Sequence, residues 1–298
     1  MPDMTNSQSY FSLNGQQLTD SLPLDLLNDR GLAYGHGLFE TILLHDSKLP
    51  LLKRHLSRLE KDSTLLNIPI EFDNVANYVD LFVNQLKAQS ITQGVVKIIV
   101  TAGQGGRGYQ SPEMIQPYII CSYSNLPVGI KEFRNIPIKV RCCEHRLPEN
   151  LPLAGIKHLN RLDQVLARSE WNNDSYKEGL MFTQSNHLIE AVSANVFVKS
   201  KSGGWITPSL DLAGIAGVMR SLMIEEIFPA CDISVAISQI TMEELSECQS
   251  LLLCNSIKGL ATVQSIHNKQ NQKLNSLPID QQTLMLSNKL IEMFPQYQ

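Results

Sequence analysis

The sequence predicts an α/β chain built as two domains. Strand-like apolar runs alternate with amphipathic helical segments along most of the 298 residues. That length is enough for one or two domains with cores of their own. Near the middle a stretch bearing proline and glycine, Asn125-Leu-Pro-Val-Gly-Ile-Lys-Glu-Phe-Arg-Asn-Ile-Pro137, breaks the pattern and looks like a seam. The expected division is an N-terminal α/β domain over 1–128 and a C-terminal domain over 129–298.

Taken in order, Tyr10–Leu13 and Gln17-Leu18 flank Asn14-Gly15, a dipeptide suited to a tight hairpin because both residues tolerate positive φ. Asp29-Arg-Gly-Leu-Ala-Tyr-Gly35-His-Gly37 follows as a glycine-bearing loop with tight turns, leading into a strand over Leu38–Leu44. Leu52, Leu56, Leu59 and Leu66 fall at helical spacing, with Ile68-Pro69 as the stop. On that helix His55 and Arg58 share a face, while the pattern leaves open which of Arg54 and Arg58 points inward. A second helix is predicted over 75–89, then strands over Val95–Thr101 and Tyr118–Tyr123. Past the seam come a strand at Ile138–Cys143, paired strands at Gly179–Thr183 and Leu188–Val198, a short strand at Trp205–Pro208, and a helix opening at Gly214–Arg220. Leu251–Cys254 is a buried strand ending in Asn255-Ser256, and a polar tail closes with a helix over 280–293.

Composition is that of an ordinary globular protein, 43% hydrophobic and 18% charged. A net charge of −4 supplies no basic field, which argues against a nucleic-acid partner. A small anionic substrate remains open, because arginines in a cleft outweigh a mild global charge. The six cysteines form no C-x-x-C pair, which disfavours a metal site and a redox dithiol and points to reduced thiols in a cytoplasmic protein. The N-terminus carries neither a basic start nor an apolar core, and no apolar run approaches membrane-spanning length.

The most informative stretch is Leu153-Ala-Gly-Ile-Lys157-His-Leu-Asn-Arg-Leu-Asp-Gln-Val-Leu-Ala-Arg168. One lysine follows an apolar run and leads into a segment with Leu159, Leu162, Val165 and Leu166 on one helical face. A lysine among apolar neighbours is a candidate for a depressed pKa, which a Schiff-base lysine needs because only the neutral amine attacks a carbonyl. The plain alternative is a surface lysine beside a turn. Gly103-Gln-Gly105-Gly-Arg107-Gly108 formally matches G-x-G-x-x-G, but Pro112 and the next strand follow at once, so no helix start awaits a pyrophosphate. A loop presenting Arg107 to an anionic ligand fits better. Gly214-Ile-Ala-Gly217-Val-Met serves either as a phosphate-binding helix start or as a turn alone.

In chain order these pieces resemble the fold-type IV pyridoxal-phosphate enzymes, the group of branched-chain and D-amino-acid aminotransferases and 4-amino-4-deoxychorismate lyases. The resemblance is carried by Asp29-Arg30, Gly35-x-Gly37-x-Phe39-Glu-Thr41, His55-x-x-Arg58-Leu59, the Lys157 stretch, Glu190 with Asn195, Gly217-Val-Met-Arg220 and Asn255-Ser256, from about residue 12 to 265. Within the group, Gly-Ile-Lys157-His-Leu-Asn160-Arg161-Leu and Gly105-Gly-Arg107-Gly-Tyr109 look most like the lyases.

The resemblance implies a D-amino acid aminotransferase-like fold with pyridoxal 5'-phosphate at the domain interface. It implies conversion of aminodeoxychorismate to 4-aminobenzoate and pyruvate, a step in folate precursor synthesis. An aminotransferase on the same scaffold is the alternative. Lys157 is then the catalytic Schiff-base lysine and Thr41 a hydroxyl near it. Glu190 faces the pyridine nitrogen, with Asn195 also at the cofactor. Arg58, the N–H groups of Val218 and Met219, and Ser256 take the phosphate, Arg58 with two prongs. Arg107, Tyr109 and Asn160 meet the substrate. The resemblance also implies a homodimer and no metal.

Overall fold

The computed structural model describes residues 10–18, 27–105, 108–172 and 174–298. The chain forms two compact units, one of Met1–Pro127 with Lys157–Leu159, the other of Val128–Ile156 with Asn160–Gln298. The three-residue segment carrying Lys157 therefore packs with the first unit, whereas the sequence reading placed that lysine in the C-terminal domain.

In the first unit, β1 (Phe11–Leu13) and β2 (Gln16–Leu18) form the hairpin, with Asn14 and Gly15 at φ 47° and 80°. The glycine-bearing loop is partly helical: α1 (Arg30–Tyr34) is N-capped by the Asp29 side chain, which accepts from Leu32 N, and ends on Gly35 in the left-handed region. An aspartate and a glycine at the two ends suffice to make one turn of helix there. Then come β3 (Gly37–Leu44), α2 (Leu52–Leu65), α3 (Phe72–Ala88), β4 (Gly94–Thr101) and β5 (Tyr118–Ser124). The sheet runs β2-β1-β5-β4-β3, all antiparallel, with α2 against β3 and α3 against β5. Along β3, Leu38, Glu40 and Ile42 are buried on one face, and Gly37, Phe39 and Thr41 alternate onto the other. Glu40 is thus a carboxylate on an apolar stripe. Helix α3 buries Val75, Val79, Phe82 and Leu86, the spacing of an amphipathic helix on a sheet.

The second unit holds α4 (Ile130–Asn135), which lies inside the seam, β6 (Ile138–Leu147), α5 (Leu162–Arg168), β7 (Glu178–Thr183), β8 (Leu188–Ala191), β9 (Asn195–Lys199) and β10 (Trp205–Pro208). Helix α6 (Val218–Leu222) runs through a π-helical stretch (Met223–Ile227) into α7 (Phe228–Ala230). Next are β11 (Val235–Ser238), α8 (Met242–Ser246), β12 (Ser250–Asn255), β13 (Gly259–His267), β14 (Lys273–Ser276) and α9 (Gln281–Met293). The sheet order is β11-β10-β9-β12-β13-β6-β7-β8, with β14 on β13, and the β10/β11, β13/β6 and β6/β7 pairs are parallel. Leu180 and Phe182 enter one hydrophobic cluster with Val140, Val196 and Leu251, while Met181 enters another with Cys143, Ala167 and Trp171. This is the period-two alternation of a strand buried on both faces.

Three readings are refined here. The strand over 188–198 is two strands, because a turn closes between them with Ala191 N donating to Ala194 O at 2.7 Å. Glu190 and Asn195 therefore sit on different strands. The tail after 265, read as polar up to its closing helix, also holds strand: β13 continues to His267 and β14 pairs with it. Helix α5 turns its small residue inward, burying Ala167, and leaves Leu162, Val165 and Leu166 67%, 61% and 50% exposed. Among the described residues no helix is long and apolar enough to cross a membrane.

Candidate active site

Lys157 is held by its main chain on two elements of the first unit. Its N–H donates to Asp62 Oδ2 on α2 at 2.9 Å, and its carbonyl accepts from Phe39 N on β3 at 3.2 Å. Leu159 N donates to Gly37 O at 2.9 Å, so the segment runs beside β3 like a short extra strand. Gly37 permits this approach, since a Cβ there would collide with Val100 O and Leu159 Cδ1. From this mount the side chain reaches over Phe39, with Nζ 4.1 Å from the ring centroid. Thr41 lies two residues farther along the same strand face as Phe39.

One face of α2 supplies the charges, because His55, Arg58 and Asp62 are spaced three and four apart. Arg58 Nε donates to Glu40 Oε1 at 2.8 Å and Nη2 to Oε2 at 2.5 Å, while His55 Nδ1 lies 2.6 Å from Oε2. Burial works to raise the Glu40 pKa, but the Arg58 charge and the hydrogen bond from His55 outweigh it and bring it down to about 2. Burial lowers the His55 pKa against the pull of Glu40, so the imidazole is neutral and its Nδ1–H donates to the carboxylate. Burial raises the pKa of Asp62, opposed by the Lys157 N–H and the Arg58 charge. Glu40 occupies the Nε/Nη2 edge of this guanidinium, so one of the two edges by which Arg58 can grip an anion with two prongs is engaged within the protein.

In the second unit Glu190 is 3% exposed. The sequence casts it as a carboxylate alone among apolar neighbours, yet Ile215 N donates to its Oε2 at 2.9 Å and Gln164 Nε2 to its Oε1 at 3.2 Å. Burial lowers the pKa of Arg161, and the charge of Glu190 opposes that fall. Asn195 Nδ2 donates to Ile215 O at 2.8 Å, and a Cβ on Gly217 would overlap Asn195 Oδ1. Asn195 and Glu190 thus grip the same loop from its two polar sides, and glycine at 217 leaves room for the grip. The loop delivers the chain to α6, whose buried first residues Val218 and Met219 have no side-chain cap. A buried helix start without a cap calls for an acceptor, and an anion is the natural one. Arg220 is buried and donates to Thr207 Oγ1 and Pro208 O, which anchors α6 to β10. Ser256 follows β12 in a turn that Asn255 closes by accepting from Ile257 N and Lys258 N, and Tyr297 Oη donates to the Ser256 carbonyl.

Of the expected substrate contacts, Arg107 lies outside the described residues. Tyr109 is 86% exposed, its ring 5.4 Å from that of Tyr34, and Asn160 is exposed. Buried Arg30 fixes the main chain around Tyr109, donating to Tyr109 O at 2.8 Å and Gln110 O at 3.2 Å. Sequence reasoning gave no role to Glu40, Asp62, Gln164 or Arg30. For Glu40 a signal existed: an acid on the inward stripe of β3 demands a cation, and Arg58 was the available one. For Gln164 and Asp62 no local signal existed.

The architecture is that of the aminotransferase-like α/β enzymes of fold type IV. The profile described as "Amino-transferase class IV" matches residues 37–266, and the chain belongs to that family. It is 32% identical over 266 residues to a protein of Vibrio harveyi named aminodeoxychorismate lyase, covering 89% of this chain and 94% of that one. The crystal structure of 4-amino-4-deoxychorismate lyase from Pseudomonas aeruginosa superposes with a TM-score of 0.86 at 34% identity, covering 95% of this chain and 99% of that one. A hypothetical aminotransferase from Mycobacterium tuberculosis in a PLP-bound form shares the fold at a TM-score of 0.79 and 17% identity, over 95% of this chain and 99% of that one.

Proposed function

We propose that this chain is an aminodeoxychorismate lyase that cleaves 4-amino-4-deoxychorismate to 4-aminobenzoate and pyruvate with pyridoxal phosphate as its cofactor. The observation that carries the lyase reading is the likeness, at 32% and 34% identity over most of the chain, to two proteins named as such lyases. The donor set fits the cofactor. A lysine amine suits its aldehyde, a buried carboxylate suits its ring nitrogen, and an arginine with an uncapped helix start suits its phosphate. When bound, the cofactor supplies an electron sink for the charge left by proton removal.

Lys157 would hold the cofactor through its Nζ amine. That amine, once uncovered, removes the substrate's C4 proton as the C3–O bond breaks, and it returns a proton to the methylene carbon of the departing enolpyruvate. Aromatisation of the ring drives the cleavage. Glu190, fixed on both oxygens, keeps a pyridine nitrogen protonated, and Asn195 holds the loop on which it leans. Arg58, the Val218 and Met219 N–H groups and Ser256 are assigned to the phosphate. Thr41 is assigned a hydroxyl near Lys157, supported by its place on the Phe39 face of β3. Arg107, Tyr109 and Asn160 are assigned to the substrate, with Arg30 holding the main chain around Tyr109. A homodimer is part of the reading, supported by the uncovered apolar side chains of Leu162, Val165 and Leu166. A cytoplasmic location fits six cysteines that are all unpaired.

The test is an assay of purified, cofactor-loaded protein with aminodeoxychorismate, following pyruvate and 4-aminobenzoate together, beside Lys157→Ala. Equimolar release, lost by about a thousandfold in the variant, is the expected result. Cofactor bound through Lys157 with no pyruvate released would transfer the assignment to an aminotransferase. Failure to bind the cofactor would overturn both.

A further inference from the structure

We propose that Asp62 is a positioning residue for Lys157, fixing the main chain of the lysine and thereby the direction in which Nζ reaches. The inference rests on the reading of Lys157 as the cofactor-bearing amine. Among the main-chain groups of this segment, three hydrogen bonds between described residues dock it on the first unit: Lys157 N to Asp62 Oδ2, Phe39 N to Lys157 O, and Leu159 N to Gly37 O. Two of them join main chain to main chain and do not depend on side-chain identity. The third depends wholly on the side chain at position 62. It is also the one made by the amide of Lys157 itself, so it governs the Cα from which the four-carbon stem leaves.

The location of Asp62 supports the role. It is 4% exposed on α2, one turn beyond Arg58, and Lys157 is 95 residues away in the chain. A carboxylate in such a place is unfavourable unless a donor meets it, and the Lys157 N–H is a donor that does. The Arg58 charge is felt at Asp62 but is engaged by Glu40. Asp62 acts on the reaction through the lysine main chain, since its Oδ2 accepts from the Lys157 amide.

Three variants test this, each compared with wild type as apoprotein and as holoenzyme. Asp62→Asn keeps a carbonyl acceptor at the same reach, Asp62→Ala removes it, and Asp62→Leu removes it while keeping the buried volume filled. The measurements are kcat and KM for pyruvate release, and the rate at which added pyridoxal phosphate becomes fixed to Lys157 by borohydride reduction. Misplacement of a reacting group by about 1 Å costs on the order of 100-fold. Asp62→Ala and Asp62→Leu should therefore lose about 10- to 100-fold in kcat and in linkage rate, with KM within about twofold, and Asp62→Asn should recover both to within about threefold. Wild-type kcat and linkage rate in a folded Asp62→Leu protein, whatever its melting temperature, would overturn the proposal, as would an Asp62→Asn variant no better than Asp62→Leu. Failure of the underlying reading looks different: Lys157→Ala would then still release pyruvate, and the reducible link would map to another residue.

Discussion

The surroundings of Lys157 and of Glu190 are built on opposite plans. Around Lys157, a helix and a strand present ionised side chains, and Glu40, His55 and Arg58 form one buried cluster on α2 and β3. Around Glu190, hydrogen bonds hold a loop: Gln164 and Ile215 N–H meet the carboxylate, Asn195 meets the Ile215 carbonyl, and the Arg161 charge lies within reach of the acid. In the first region secondary structure positions side chains, and in the second side chains position backbone. Damage should follow that difference. Breaking the first leaves charges stranded in the interior, whereas breaking the second frees a loop that water and small shifts can partly repair.

The largest expected effect is therefore that of Glu40→Ala, which strands Arg58 and removes the acceptor of His55. It should cost about 3–5 kcal/mol in urea unfolding, and a loss below about 1 kcal/mol would erase the contrast. The pH dependence sharpens it. The Glu40 pKa falls from 4.5 to about 2 on folding, so the contribution is complete above pH 4.5 and drains away as pH falls towards 2. Gly217→Ala comes next, pressing a methyl onto Asn195 Oδ1 and displacing the loop. About 2 kcal/mol of overpacking should appear as a roughly 30-fold weaker pyridoxal phosphate affinity in titrations of the apoprotein, with little change in global stability. Gln164→Leu removes a donor to Glu190, for about 1.5 kcal/mol or about tenfold in the same titration. An equal or larger loss than for Gly217→Ala would show that the carboxylate, rather than the loop, carries that region. The smallest effect is on His55. Its pKa lies below 6.5 in the folded chain, so the unfolded chain binds the proton first and stability declines as pH drops through 6.5. His55→Gln should flatten urea midpoints between pH 7.5 and 5.5 by less than about 1 kcal/mol per pH unit.

What could be read from the sequence divides along similar lines. The hairpin at Asn14-Gly15, the helix over Leu52–Leu65 and the strand over Gly94–Thr101 are written in neighbouring residues, by turn chemistry and periodicity. Lys157 stood out because a lysine after an apolar run is locally odd, and Glu190 through the family resemblance. Their partners were not legible. Glu40 and Arg58 are 18 residues apart, Gln164 and Glu190 26, Asp62 and Lys157 95, and such meetings are decided by how strands and helices stack. Helix α5 shows the limit of periodicity from the other side. Leu162, Val165 and Leu166 have the spacing of a core face, yet the face that packs is the one with Ala167, because a short helix close to β6 and β7 has room only for a small residue.

All six cysteines are buried. Burial lifts the Cys121 thiol to about 11 and those of Cys142, Cys248 and Cys254 to about 12. The thiolate is the form that attacks alkylating reagents, so the folded chain offers them neither the reactive form nor a path, and modification waits for an opening. Cys121 belongs to the first unit and the other five to the second. The chain thus carries its own record of which half loosens first: after a short pulse of iodoacetamide under mild denaturant, the order in which Cys121 and the remaining thiols acquire mass is the order in which the two units come apart.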